Sequence, residues 1–149
     1  MTIRSYVSGK ELSFAESEVA PIHLAEIDGR NYYAYADKQA AASGGKVADD
    51  ALELIYKHSQ LIRQIKEEAA RRILLLAPQW KQQNALIDIY LFGKLERLDE
   101  QQQARLQEAE ALLQSIQDIR QRSDEIEASF LKGVAVEYLT DQAWESDHA

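Results

Sequence analysis

Residues 99–132 read DEQQQARLQEAEALLQSIQDIRQRSDEIEASFLK, a stretch with neither glycine nor proline. Asp99 followed by Gln102 three positions later is a capping-box pattern, in which two side chains satisfy the orphan amides of a helix start. Ala109, Leu112, Ile116, Ile119, Ser123, Ile126 and Phe130 then alternate spacings of three and four. That is a heptad a/d seam sustained over three repeats. Traced backwards through Arg105, Gln102, Leu98 and Leu95, the same phase becomes polar near its start. Gly133 ends the element.

Working upstream, a shorter helix is expected from about Gln79 to Phe92, with Gly93 available as its C-terminal cap. Pro78 stops or kinks whatever precedes it, since proline lacks an amide hydrogen and suits a first helical turn. Before it, Ala48, Ile55, Ile62, Ala69 and Leu76 recur every seven residues. Ala51 and Ile65 fall three after two of them, and Leu54, Leu61 and Leu75 widen the stripe. One amphipathic helix from about Val47 to Leu76 is the expectation, burying a broad face with His58 within it.

Further upstream the period changes to two. Ile22–Ile27 and Arg30–Ala36 flank Asp28-Gly29, a strong signal for a two-residue hairpin turn with positive φ at both central positions. Simple pairing across it sets Leu24 opposite Tyr33 and Ile22 opposite Tyr35, and that face is expected to be the buried one. Ala25, Tyr32, His23 and Ala34 take the other. Ile3–Val7 could add a third strand, and Lys38–Lys46 reads as a flexible joint. Downstream, Val134–Ala149 has no basic residue. It is expected to be an acidic tail whose Tyr138, Leu139 and Trp144 dock on a neighbour or fray.

The fold class that follows is mainly α: a helical hairpin or coiled coil of three helices with a small N-terminal β-hairpin. It divides into residues 1–46 (hairpin and joint), 47–133 (helical region) and 134–149 (acidic tail). The 46% content of hydrophobic residues is too high for a disordered chain. No apolar run of about 18 residues is present, so no membrane partner is expected. Residues 1–9 lack the apolar core of a signal peptide. The absence of cysteine excludes disulfides and thiolate metal sites and fits a reducing site of synthesis. From residue 99 onward 12 acidic residues face 4 basic ones, which accounts for the whole net charge of -8 and leaves the first 98 residues balanced. Nucleic acid is therefore not expected as a partner, because phosphate binding needs clustered Lys and Arg.

Chemistry-bearing patterns are scarce. His23, His58 and His148 have no metal-ligand spacing, and no HExxH or GxSxG occurs. Gly44-Gly45-Lys46 lacks the rest of a phosphate loop, with Val47 in the Ser/Thr position. Asp124, Glu125 and Glu127 beside Arg120 and Arg122 read as a solvated helix face with local ion pairs. No catalytic residue, cofactor or metal is expected. Trp80, in the first turn after Pro78, either fills the corner between two helices or anchors a partner.

The stretch Ala77-Pro78-Gln79-Trp80-Lys81-Gln82-Gln83-Asn84-Ala85-Leu86 resembles a pattern in small proteins of tailed bacteriophages. So does the later Asp118-Ile119-Arg120-Gln121-Arg122-Ser123-Asp124-Glu125-Ile126-Glu127. The pattern joins an arginine-bearing helix, a Pro-x-Trp-Lys-Gln-x-Asn turn and a final helix with an Ile-Arg-x-x-Ser-Asp stretch. The resemblance covers roughly Arg71 to Phe130, under half the chain, and its motifs are structural. It implies a virion protein associated with tail or tail fibre, and partners among phage tail or fibre proteins. A fibre-assembly chaperone absent from the finished virion, or a phage inhibitor of a host protein using its acidic face, are the alternatives.

The seam from Ala109 to Phe130 needs a facing surface along its length. The first helix could supply it within the chain. The regularity of the heptads favours other copies instead. β-branched Ile116 and Ile119 at successive a and d positions, together with the fibre resemblance, favour a parallel homo-oligomer of three rather than two.

Overall fold

A computed structural model describes residues 2–7, 20–36, 45–46 and 49–145. The order is β1 (Thr2–Val7), β2 (Ile22–Ile27), β3 (Arg30–Tyr35), β4 (Gly45–Lys46), α1 (Asp49–His58), α2 (Gln60–Leu76), α3 (Gln79–Phe92) and α4 (Glu100–Leu131). A short 3-10 helix, Asp141–Trp144, follows. The described residues are thus mainly α, with four α-helices and a small N-terminal antiparallel sheet.

The capping box at Asp99 forms as expected. Its carboxylate accepts from the Gln102 amide at 2.7 Å, and the Gln102 side chain accepts from the Asp99 amide at 3.0 Å. From there α4 runs for 32 residues, about 48 Å at 1.5 Å per residue. The helices before it, of 17 and 14 residues, together match that length. They lie antiparallel along it. Ile65 packs with Ile126, the Lys66 ammonium meets the Glu127 carboxylate at 3.0 Å, and the Asp88 carboxylate meets Arg105 at 2.6 Å. Residue numbers rise on one side as they fall on the other, straight through the Ala77-Pro78 break. The helical hairpin is therefore closed inside one chain.

The expected single helix over 47–76 is divided at Ser59. That residue leaves helical geometry (φ -67°, ψ 118°), and its hydroxyl accepts from the Ile62 amide at 3.2 Å. Ser59 is buried, so its side chain substitutes for water at the start of α2. The break lets α1 turn towards the sheet, and it places His58 at the surface, not in the stripe. Ala48 lies outside the described residues.

Asp28 and Gly29 both have positive φ, 50° and 74°, as the hairpin turn requires. The register beyond it differs from simple pairing. Ala25 faces Tyr32, but His23 faces Tyr33 and Ile22 faces Ala34, because Leu24 is an extra residue in β2. Such a bulge brings neighbouring side chains towards one face. Leu24 and Ile22 consequently join Ala34 and Tyr32 on the helix-facing side, with Ile3 from β1. Tyr33 and Tyr35, expected in that core, sit on the opposite face with Tyr6. There the Tyr6 and Tyr35 hydroxyls lie 2.7 Å apart. Burial and that hydrogen bond push the Tyr35 phenol well above its ordinary pKa. β1 is the third strand, and β3 is central between β2 and β1. Gly45–Lys46, expected within a flexible joint, pairs with Arg4 and Ser5 as β4. Residues 38–44 lie outside the described residues.

The helix-facing side of the sheet meets Ile55 of α1, Ile62 of α2 and Leu131 of α4. A second cluster joins Ile65, Ile126 and Phe130 with Tyr138 and Trp144. At the Gly93 end of α3 the picture is different. The principal packing partner of α3 is α4 alone, so the far end of the hairpin is an arm two helices thick.

Candidate docking surface

The arm begins at the corner between α2 and α3. Ala77 is fully buried there, in an extended conformation (φ -152°, ψ 124°) that ends α2. Pro78 stands at the N-cap position of α3, one residue before the first turn. The Gln82 side-chain amide donates to the Ala77 carbonyl at 2.8 Å, so this backbone group at the break between the helices is satisfied. A corner closed by an alanine has no room for an indole. Trp80 accordingly points outward and is 63% exposed. The corner-filling role expected from its position is not the one it has.

α3 packs onto α4 through Ala85 and Phe92, with Arg105 of α4 lying 5.3 Å from the Phe92 ring centre. The Arg105–Asp88 ion pair locks the same side. Between the helices lies a cleft of about 380 Å³, whose lining includes Leu76, Lys81, Asn84, Asp88, Arg105, Leu112 and Ser115. The other side of α3 is open. At 100° per residue, Trp80, Gln83, Ile87, Tyr90 and Leu91 share it, with Leu86 at its edge. Every apolar one of these is at least half exposed. None of the residues on this face is charged; Lys94 closes one end, with its ammonium 3.9 Å from the Tyr90 ring centre. Leu74, Leu75 and Leu76 in the last turn of α2, and Leu95 after α3, are also exposed. At roughly 150 Å² for a large apolar side chain, the half-exposed Trp80, Leu86, Ile87, Tyr90 and Leu91 offer on the order of 400 Å² of apolar surface on this side. That is the size of the largest patch on an ordinary monomer, about 300–600 Å², which is often a functional surface.

Of the seam, Ala109, Ile116, Ser123, Ile126 and Phe130 are buried, and Leu112 and Ile119 are half-buried. They face the chain's own α2 and α3, so the expected seam between parallel copies is already occupied. Ser123, the polar member, donates its hydroxyl to the buried Glu127 carboxylate at 3.3 Å. The trimer expectation drew on this seam and on the fibre resemblance, and the seam no longer supports it.

Two of the three expected tail anchors are also spent within the chain. Tyr138 packs edge-on against Phe130 with ring centres 6.0 Å apart, and its hydroxyl donates to Gln64 at 3.2 Å. The Trp144 indole N–H donates to the Tyr138 carbonyl at 2.7 Å, and Arg72 lies over its ring. Leu139 alone stays outside, 70% exposed. The tail is tied down by charge as well. Arg72 bridges Glu68 at 2.8 Å and Asp141 at 2.9 Å, and Arg122 donates to the Ala143 carbonyl at 2.6 Å. The Arg71 guanidinium, joined by Arg72 and opposed by burial, holds the Glu68 carboxyl below the usual carboxylate range. An acidic segment is thereby folded onto arginines of α2 and α4.

The His23 Nε2–H donates to the Asn31 side-chain carbonyl at 2.8 Å and the ring packs on Tyr33, while His58 is exposed on α1. His148 lies outside the described residues. Among the described residues no group of three His, Asp or Glu is placed to hold a metal, and no helix is long and apolar enough to cross a membrane.

Leu86, Ile87, Tyr90 and Leu91 were not singled out by sequence reasoning. The signal was present: Leu86, Ile87, Ile89, Leu91 and Phe92 are apolar on more than one side of a short helix, and a helix apolar all round is normally buried on every side. No known protein family, curated protein or solved structure matches the chain.

Proposed function

We propose that this chain is a non-enzymatic assembly protein of a tailed-phage virion, tail- or fibre-associated, that works by docking its two-helix arm on another chain. The observation that carries the reading is the uncharged, half-exposed apolar face of α3. A layer of two helices cannot bury both sides of an apolar helix, so such an arm is completed by a further layer. The resemblance from Arg71 to Phe130 supports the virion setting, because it spans the corner, α3 and the helix beneath them. Adhesion here needs no reacting group, which accords with the scarcity of catalytic patterns in the chain.

The test is mass spectrometry of purified particles of the phage that encodes the chain, alongside particles assembled without it. The chain is expected in the particles, and its deletion is expected to leave tails or fibres incomplete. Particles that lack the chain and assemble normally without it would overturn the proposal. A chain absent from particles whose fibres nevertheless fail to attach would move the role to an assembly chaperone.

A further inference from the structure

We infer that the groove between α2 and α4 binds an acidic, aromatic-bearing segment of another chain, and that the segment after Gly133 occupies part of it as an internal stand-in. This surface is separate from the outer face of α3, so the inference does not rest on the docking reading above. The way the segment is held defines the chemistry. Beyond Val134 its backbone hydrogen bonds are internal: Tyr138 to Val136, Thr140 to Glu137 and Glu145 to Gln142. It grips the helices through four points. Tyr138 meets the Phe130 ring, the Asp141 carboxylate meets Arg72, the Ala143 carbonyl accepts from Arg122, and the Trp144 ring lies against the Arg72 guanidinium. Charge agrees with this. Arg71, Arg72 and Arg122 gather here against two carboxylates, Glu68 and Glu125, so the groove keeps one positive charge for an acidic ligand.

Two observations mark the segment as an incomplete ligand. Arg72 Nη1 reaches one oxygen of Asp141, a side chain that is 90% exposed, while Arg72 Nη2 is buried without a hydrogen-bond partner. A carboxylate set squarely on a guanidinium takes two N–H groups, and an unmet buried donor costs free energy. The other observation is length. Leu112, Ser115, Ile119, Arg122, Ile126 and Phe130 succeed one another three or four apart along one side of α4. The segment runs from Phe130 to Arg122 and covers only that half. One helical turn beyond Arg72, at Leu76, the same groove opens into the cleft of about 380 Å³ whose lining includes Leu112 and Ser115. A partner segment that satisfies both Arg72 nitrogens and sets apolar side chains in the cleft makes every contact of the stand-in and adds two. The stand-in then acts as a latch, covering Ile65, Ile126 and Phe130 until that partner displaces it.

The experiment keeps the full chain and loosens the latch in place with Asp141→Asn and Trp144→Ala. The probe is a fluorescent peptide of residues 134–145 with Leu-Leu added at its C-terminus, and the control peptide ends in Ser-Ser. By fluorescence anisotropy the Leu-Leu peptide is expected to bind the loosened chain at least about 10-fold more tightly than the wild type, whose own segment competes. It is expected to bind about 10-fold more tightly than the Ser-Ser peptide, and a peptide carrying E137Q, D141N and E145Q is expected to lose about 10-fold or more. Arg122→Gln in the loosened chain should weaken the peptide with an unchanged circular dichroism spectrum, since that side chain is 31% exposed. If the double variant loses its helical spectrum, Asp141→Asn alone carries the same comparison. Equal binding to wild type and loosened chain, indifference to the carboxylates or to the added leucines, or no binding at all overturns the inference. The two readings fail separately. Particles that carry the chain while the peptide does not bind sink this site alone. Peptide binding by a chain absent from particles sinks only the virion assignment.

Discussion

At Gly133 one missing methyl group lets α4 end against the sheet. Its φ is +78°, and its amide and that of Val134 donate to the Phe130 and Ser129 carbonyls at 3.0 and 2.9 Å, the paired bonds of a Schellman cap. A Cβ placed there would collide with the backbone of Tyr35 and Ala36 at the end of β3. Gly133→Ala therefore combines a left-handed conformation with a backbone clash. It is expected to cost about 3 kcal/mol, read as a lower urea midpoint with an unchanged slope. Glu68 makes a prediction about pH. Its carboxyl pKa is lowered in the folded chain by Arg71 and Arg72, so ionised Glu68 favours folding. That contribution is complete above the unfolded carboxylate value of about 4.3 and is lost as pH falls through the lowered folded value. Glu68→Gln should destabilise by about 2 kcal/mol at pH 7, and the difference from wild type should shrink as the pH is lowered through that window. A constant difference between pH 7 and pH 3 would show that the arginines do not act through its charge.

Among the elements, α3 is where local pattern and tertiary placement part company. Its boundaries follow from Pro78 and Gly93, yet Gly93 ends it in right-handed geometry (φ -63°, ψ -18°), without the left-handed turn that glycine permits. A tryptophan just after a proline corner has the pattern of a core residue, but the buried Ala77 already closes the corner. Trp80→Ala is accordingly expected to change the stability of the isolated chain by no more than about 0.5 kcal/mol, measured by urea unfolding at submicromolar concentration. The same variant should enter phage particles less readily than the wild type. A loss of 3 kcal/mol or more in the dilute chain would return Trp80 to the core. α2 shows the converse. Ser59 is a small polar residue inside a heptad pattern, and its burial, with its hydroxyl accepting from the Ile62 amide, makes it a helix start instead of a surface position.

For the whole molecule, the decisive feature is the difference between its two ends. Sheet, α1, α2 and the last turns of α4 form one core near β2, and the segment after Gly133 is sewn onto it. Trp144→Ala should remove the indole hydrogen bond to Tyr138 and the contact with Arg72. About 2 kcal/mol is expected, below the 3–5 of a fully buried tryptophan because this one is only partly covered. Limited proteolysis should then cut between Tyr138 and Glu145 first. Resistance equal to wild type would show that Asp141 and Ala143 hold the segment without it. The opposite end has no such closing layer, which is why the apolar surface concentrates there.

The sequence by itself determined the elements whose signals are local. The Asp99–Gln102 box starts α4, Gly133 ends it, Pro78 separates α2 from α3, and Asp28-Gly29 turns the hairpin. Each acts through its own backbone and neighbours within a few residues, so no distant contact is needed to read it. Only the tertiary structure decided which surfaces those elements spend on each other. The Leu24 bulge exchanges the faces of the β2–β3 hairpin because the core needs Ile22 and Leu24 on the side of Ile55 and Ile62. The seam of α4 is filled by α2 and α3 because together they equal it in length and run back along it. Tyr138 and Trp144 fold onto the chain's own helices because Arg72 and Arg122 wait there for an acidic segment. A heptad stripe specifies that a helix must be covered and leaves open which helix covers it, since the hydrophobic effect has no direction. Once α2 and α3 took that place, the unmet apolar surface passed from α4 to the outer face of α3.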